Sequence, residues 1–185
     1  MRTFFAALLF FALFAAAVQA QAADRSIVFS RIGDGGQEAW TLLKERFEAK
    51  GYRVTIYQAE GVVEKHVEKV SRINRGPGSI FLALLLTTGE KRGVVVAVPE
   101  AEKGEGPFLT IAEVPARFSR ESGLLGGDVA AAFNVKVKHL PLFPLLGVTM
   151  PGAFVQLQFQ PEETGDVVSA LLSGVERYFS ERTEK

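Results

Sequence analysis

The chain has 185 residues, enough for one domain with a sizeable core. It sets 21 basic against 21 acidic residues and contains no cysteine. That excludes disulfides, thiolate metal sites, a cysteine nucleophile and a lipoprotein acyl site, and no basic excess points to nucleic acid or an anionic membrane surface.

Met1-Arg2-Thr3 carries one positive charge, and Phe4 to Val18 is an uncharged run of Phe, Leu, Ala and Val. Val18-Gln19-Ala20 then places small residues at the two positions a signal peptidase reads. The pattern predicts a signal peptide over 1–20, with cleavage as late as 23, and a single domain over 24–185. The run is short for a bilayer core of about 30 Å, and no basic stop signal follows. No stable membrane anchor is therefore expected after cleavage, and the mature chain is expected to be periplasmic or secreted. Loss of Arg2 leaves it at a net charge of −1.

After the signal, Ser26 to Ser30 reads as a strand and Gly33-Asp34-Gly35-Gly36 as a tight turn. Gln37 to Lys50 reads as a helix, with Trp40, Leu43 and Phe47 on one face and Gly51 as its stop. Arg53 to Tyr57 alternates as a second strand, and the strand-helix-strand order argues a parallel unit. A second helix is predicted over Val62 to Asn74, with Val63, Val67, Val70 and Ile73 buried. This places His66 on the solvated side. Ile80 to Leu86 is a continuous apolar run, as of a strand covered on both faces, and Gly93 to Val98 is the next strand.

Pro99 to Pro107 reads as an exposed loop; its acidic part, Glu100 to Glu105, is read as solvated, with calcium binding or partner contact as alternatives. Part of Leu109 to Ser122 is expected to be helical. Gly123 to Gly127 reads as a loop, and Asp128 as the cap of a short helix Val129 to Phe133. Val135 to His139 alternates as an exposed strand. Pro141 to Gly147 is an apolar connector to the strand Ala153 to Phe159, in which Gln156 and Gln158 point away from Val155, Leu157 and Phe159. Glu162 to Arg182 closes the chain as a helix with Val168, Leu171, Leu172, Val175 and Phe179 inward. The fold class expected is α/β, a mostly parallel twisted sheet of about six strands flanked by helices.

Three strings, in this order, resemble the zinc-dependent N-acetylmuramoyl-L-alanine amidases of the Amidase_3 type. They are Gly33-Asp34-Gly35-Gly36, where the family has Gly-His-Gly-Gly; Gly51-Tyr52-Arg53-Val54, with the helix and apolar strand that follow; and Met150-Pro151 with Ala153 to Phe159, where the family reads Met-Pro-Ala-Val-Leu-Val-Glu-Leu-Gly-Phe. Leu140 to Gly147 and Gly174 to Phe179 also look like the family. The resemblance spans nearly all of the mature chain. It implies a site at the carboxyl ends of the strands, where the family holds one zinc through two histidines and a glutamate and uses a further glutamate to activate the metal-bound water.

Position by position, the resemblance puts Asp34 at the first histidine, Leu85 near the second and Gln156 at the catalytic glutamate. Glu38 is the only nearby candidate for the ligand glutamate. Leucine cannot ligate zinc, and the amide of glutamine has no basic oxygen at neutral pH. The expectation is an exported, amidase-like pseudoenzyme with no metal and no cofactor. A degenerate cleft of Asp34, Gly35, Gly36, Glu38 and Gln156 would bind a peptidoglycan fragment or an envelope protein. The alternative is a peptidoglycan hydrolase with residual or altered zinc-dependent activity, using Asp34, Glu38 and His139. His139 is otherwise a half-exposed strand residue. The glycine turn is either an anion site at a helix N-terminus or only a turn whose glycines need positive φ.

Overall fold

The computed structural model describes residues 25–100 and 110–183. The expected signal peptide and most of the acidic loop lie outside the described residues. A six-stranded sheet runs in the order β2-β1-β3-β6-β4-β5. Its strands are β1 (Ser26–Ile32), β2 (Arg53–Gln58), β3 (Ile80–Thr88), β4 (Gly93–Pro99), β5 (Val137–Leu140) and β6 (Gly152–Phe159). Among the described residues four α-helices accompany them: α1 (Gln37–Ala49), α2 (Val63–Ile73), α3 (Ser119–Ala132) and α4 (Thr164–Thr183).

The sheet is mixed, which corrects the expectation of a mostly parallel one. β1, β2, β3 and β6 run together, whereas β4 is antiparallel to β6 and carries β5 with it. The reason is the connection after β3. Residues 89–92 are too few for a crossover, which needs about a dozen residues or more, so the chain must reverse. β6, made much later, then enters between β3 and β4.

Alternation along the strands sends two sets of side chains to the two faces. Ile27, Phe29, Leu82, Leu84, Leu86, Val155 and Leu157 belong to the larger core, with Trp40, Leu43 and Phe47 of α1, Leu125 and Val129 of α3, and Leu171 and Val175 of α4. Val28, Phe81 and Ala83 form a smaller core with Val70 and Ile73 of α2 and with Leu145, Val148 and Met150 of the connector before β6. This second face has one helix where the first has three, so its carboxyl end is left half covered.

Two helices differ from expectation. The glycine segment 123–127 is not a loop: α3 is continuous through it, and Asp128 lies inside the helix. Gly126 is there because α3 lies so close to β4 that a Cβ would stand 2.4 Å from Val98 Cγ1. Gly174 plays the same part on α4, where a Cβ would stand 2.7 Å from Val129 Cα. In α2, Val63 is 49 % exposed and His66 only 5 %, so the buried stripe is His66-Val70-Ile73. The His66 Nε2–H donates to the Leu146 carbonyl at 3.1 Å, and its ring lies 4.8 Å from that of Phe143. The connector folds over the start of α2 and buries the histidine that helical spacing assigns to solvent. No helix among the described residues is long and apolar enough to cross a membrane.

Candidate functional site

The register places Ile32, Leu85, Gln156 and Val95 side by side across β1, β3, β6 and β4. Leu84, Leu86, Val155 and Leu157 face the larger core, so Leu85 and Gln156 emerge together on the opposite, half-covered face. Both are half-buried. The catalytic and second-histidine positions that the resemblance assigns are thus directly paired neighbours in the carboxyl halves of two central strands, three residues before their ends.

The turn after β1 closes over this row. Gly33 and Gly36 have φ of 74° and 70°, a left-handed conformation that favours glycine. A Cβ on Gly33 would lie 3.6 Å from Leu85 Cδ1, so the turn sits on the leucine. Arg31 holds it from below: its guanidinium donates to the carbonyls of Asp34 at 2.9 Å and Gly35 at 3.4 Å and to the side chain of Gln37 at 2.7 Å. Gln58 of β2 donates to the Gly33 carbonyl at 3.2 Å. Helix α1 begins after Gly36 without a side-chain cap.

Asp34 and Glu38 are exposed on this rim. Glu38 is in the first turn of α1, which packs on the face opposite to the one from which Gln156 emerges. Gln158, two residues on, lies against the β3–β4 turn, where a Cβ on Gly89 would meet its amide nitrogen at 2.4 Å. His139 is on edge strand β5, paired with Val98, whereas Val95 is the residue level with Gln156. With strands about 4.8 Å apart and a rise of about 3.3 Å per residue, His139 is about 10 Å across and about 10 Å along the sheet from Gln156. It stands toward the opposite end of β6 and does not reach the row.

The donor set that the resemblance assigns does not fit zinc. Leu85 offers only hydrocarbon and Gln156 a neutral amide, leaving two exposed carboxylates where the metal favours imidazole. Among the described residues no group of three or more histidines, cysteines or carboxylates is arranged to hold a metal ion.

A cleft of about 330 Å³ opens beside the turn, between Ile32, Gly33, Glu60, His66 and Phe143. Glu60 is hydrogen-bonded by the Lys69 ammonium, which holds its carboxyl below the usual range, and Lys69 also donates to the Gln58 carbonyl at 2.6 Å. The cleft escapes sequence reasoning because its wall is the connector segment, 80 residues from His66 in sequence. The one available signal was the aromatic and proline run Phe143-Pro144 ahead of β6.

The sequence matches no family model and no curated protein. Among the solved structures that match are two with its architecture. The N-acetylmuramoyl-L-alanine amidase AmiC2 of Nostoc punctiforme is 12% identical, with a TM-score of 0.51, and the match covers 84% of this chain and 98% of that one. The catalytic domain of the CD27L endolysin targeting Clostridia Difficile is 11% identical, with a TM-score of 0.55, covering 83% and 97%. At these identities the likeness is one of fold: the described chain has the α/β fold of these two proteins.

Proposed function

We propose that this is an exported amidase-like domain that binds peptidoglycan fragments or an envelope partner and does not hydrolyse them. The observation that carries the reading is the pairing of Leu85 with Gln156. Hydrolysis of an amide on this scaffold needs a base and a metal ligand at these two places. A neutral amide beside an aliphatic side chain supplies neither. What remains is a half-open sheet end with amide groups on Gln156 and Gln158, a glycine turn with exposed Asp34 and Glu38, and the adjacent cleft at His66. Such a surface offers hydrogen-bond donors and acceptors, and its one imidazole, His66, has its Nε2–H bound to the Leu146 carbonyl. The reading includes no resident metal or cofactor, and its setting is periplasmic or secreted, following cleavage within residues 1–23.

The test is co-sedimentation of the purified protein with isolated sacculi, run beside metal analysis and an assay for released soluble fragments. Saturable pelleting without released fragments is the expected result. Stoichiometric zinc, together with fragment release that disappears in Asp34→Ala, would replace the reading with that of an active hydrolase. Failure to pellet would remove the peptidoglycan half of it.

A further inference from the structure

On the other side of the sheet, α1 and edge strand β2 enclose a groove of about 350 Å³ that the reading above does not use. Two groups in its lining stand out. Trp40 is 3 % exposed, and its indole N–H is buried without an acceptor among the described residues. Arg31 spends one terminal nitrogen on the carbonyls of the glycine turn and the other on the Gln37 side chain, and its Nε–H is likewise buried without an acceptor among the described residues. The guanidinium carbon stands 5.8 Å from the centre of the Trp40 ring, so both orphaned donors belong to one spot. A buried donor left unpaired is costly, and two in one groove mark a place shaped for an acceptor.

The rest of the lining decides which acceptor. Lys44 and Glu48 form an ion pair at 3.9 Å, and Glu45 adds a further carboxylate beside them. Glu45 is exposed and has no ion-pair partner among the described residues. Arg31 and Lys44 balance Glu45 and Glu48, so the lining carries no net charge to hold an anion, and the acids can accept a hydrogen bond. Ile56 and the indole ring provide apolar contact. We propose that the groove binds a neutral secondary amide. The amide carbonyl accepts from the Trp40 indole N–H and the Arg31 Nε–H, the amide N–H donates to Glu45, and the flanking methyl or methylene rests on Ile56 and the ring. A peptide bond and an acetamido sugar both present this chemistry, and the assignment does not depend on the cell-wall reading.

Trp40 is the only tryptophan in the chain, so its indole N–H gives a single cross-peak in a ¹⁵N-labelled sample. The full protein is titrated with N-methylacetamide, with N-acetylalanine N-methylamide, with N-acetylglucosamine and with sodium acetate at matched ionic strength. A saturable shift of the indole proton with N-methylacetamide is expected, with acetate weaker. Whichever of the peptide and sugar probes saturates at lower concentration names the source. Arg31→Lys keeps the charge but removes the Nε–H, and is expected to weaken amide binding about three- to tenfold, the effect of one hydrogen bond. Because Arg31 also holds the turn, Glu45→Ala, at an exposed position, provides a second variant with a loss of about threefold. An indole resonance unmoved by any amide probe, or moved equally in both variants and the native chain, overturns the proposal.

Discussion

The glycines of α3 and α4 make a prediction whose sign changes from one position to the next. At Gly123 and Gly127 a Cβ would have nothing within 4 Å outside the helix's own backbone. Alanine there gains the helix-propensity difference of about 1 kcal/mol and meets no obstacle. Gly126 and Gly174 are different. The Cβ at Gly126 falls 2.4 Å from Val98 Cγ1, on a β-branched side chain that is 1 % exposed and has little room to turn. The Cβ at Gly174 meets only backbone of α3, at 2.7 Å from Val129 Cα, 3.0 Å from the Asp128 carbonyl and 3.1 Å from Val129 N. No rotamer change relieves that contact, so the helices must separate. Overpacking of this kind costs about 1–3 kcal/mol, which exceeds the propensity gain. Gly123→Ala and Gly127→Ala are therefore expected to raise stability by about 0.5–1 kcal/mol each, and Gly126→Ala and Gly174→Ala to lower it by about 1–2 kcal/mol. For a domain of this size, 1 kcal/mol moves the melting temperature by about 2–4 °C. Thermal and urea unfolding followed by the fluorescence of buried Trp40 gives the four values. If Gly123→Ala and Gly127→Ala destabilise as much as Gly174→Ala, the continuous helix through 123–127 is refuted; a Gly174→Ala that costs nothing refutes the close approach of α3 to α4.

Two further predictions concern buried polar groups. The Tyr178 hydroxyl is buried without a partner among the described residues, and burial pushes its pKa up to about 12. Folding favours the neutral phenol, so the stabilisation is full below the ordinary tyrosine pKa of about 10 and is lost as pH rises toward 12. Unfolding curves between pH 9 and 12 should show this fall in the native chain and a smaller one in Tyr178→Phe. That variant should also be more stable at neutral pH by about 1 kcal/mol, since it removes an unpaired hydroxyl; a less stable Tyr178→Phe would reveal a hydrogen bond at that hydroxyl. His66→Ala loses the bond to the Leu146 carbonyl and the contact with Phe143, together about 2–3 kcal/mol. A loss under 0.5 kcal/mol by chemical denaturation would place His66 in solvent after all.

Much of the fold was legible because strands and helices of this chain carry clean periods. β1, β2, β3 and β6 follow from runs such as Ile80 to Leu86 and Ala153 to Phe159, and α1 and α4 from apolar residues at helical spacing. The two helix errors share one origin, which is that the deciding neighbour lay far away in sequence. The glycines of α3 read as breakers because Val98, the neighbour that forbids a Cβ at Gly126, is on another strand. His66 read as solvated because Phe143 and Leu146 are unknown to a helical wheel, and the apolar stripe it displaced, Val63-Val67, is weak enough to rotate. The reversal at β4 was readable in principle, since residues 89–92 cannot make a crossover. At the site, the glycine turn was visible from Gly33 to Gly36. That Leu85 and Gln156 are paired neighbours required the register of β3 with β6. The donors of Trp40 and Arg31 were out of reach, since only the packing of α1 on β2 shows that they lack acceptors.

The position of β6 bears on how the chain acquires this structure. The strand pairs on both sides with segments synthesised long before it; the Thr87 hydroxyl and the Leu157 carbonyl that it meets are 70 residues apart. Until Gly152 to Phe159 is present, β3 and β4 each expose an unsatisfied edge, and the larger core lacks its central row. The closing step is thus a long-range insertion, of the kind that slows folding because loop closure must precede the contacts that reward it. A chain truncated ahead of Gly152 would be expected to keep β1 to β3 and β4 with β5 as two separate sheet fragments, so the last fifth of the sequence decides whether they become one sheet.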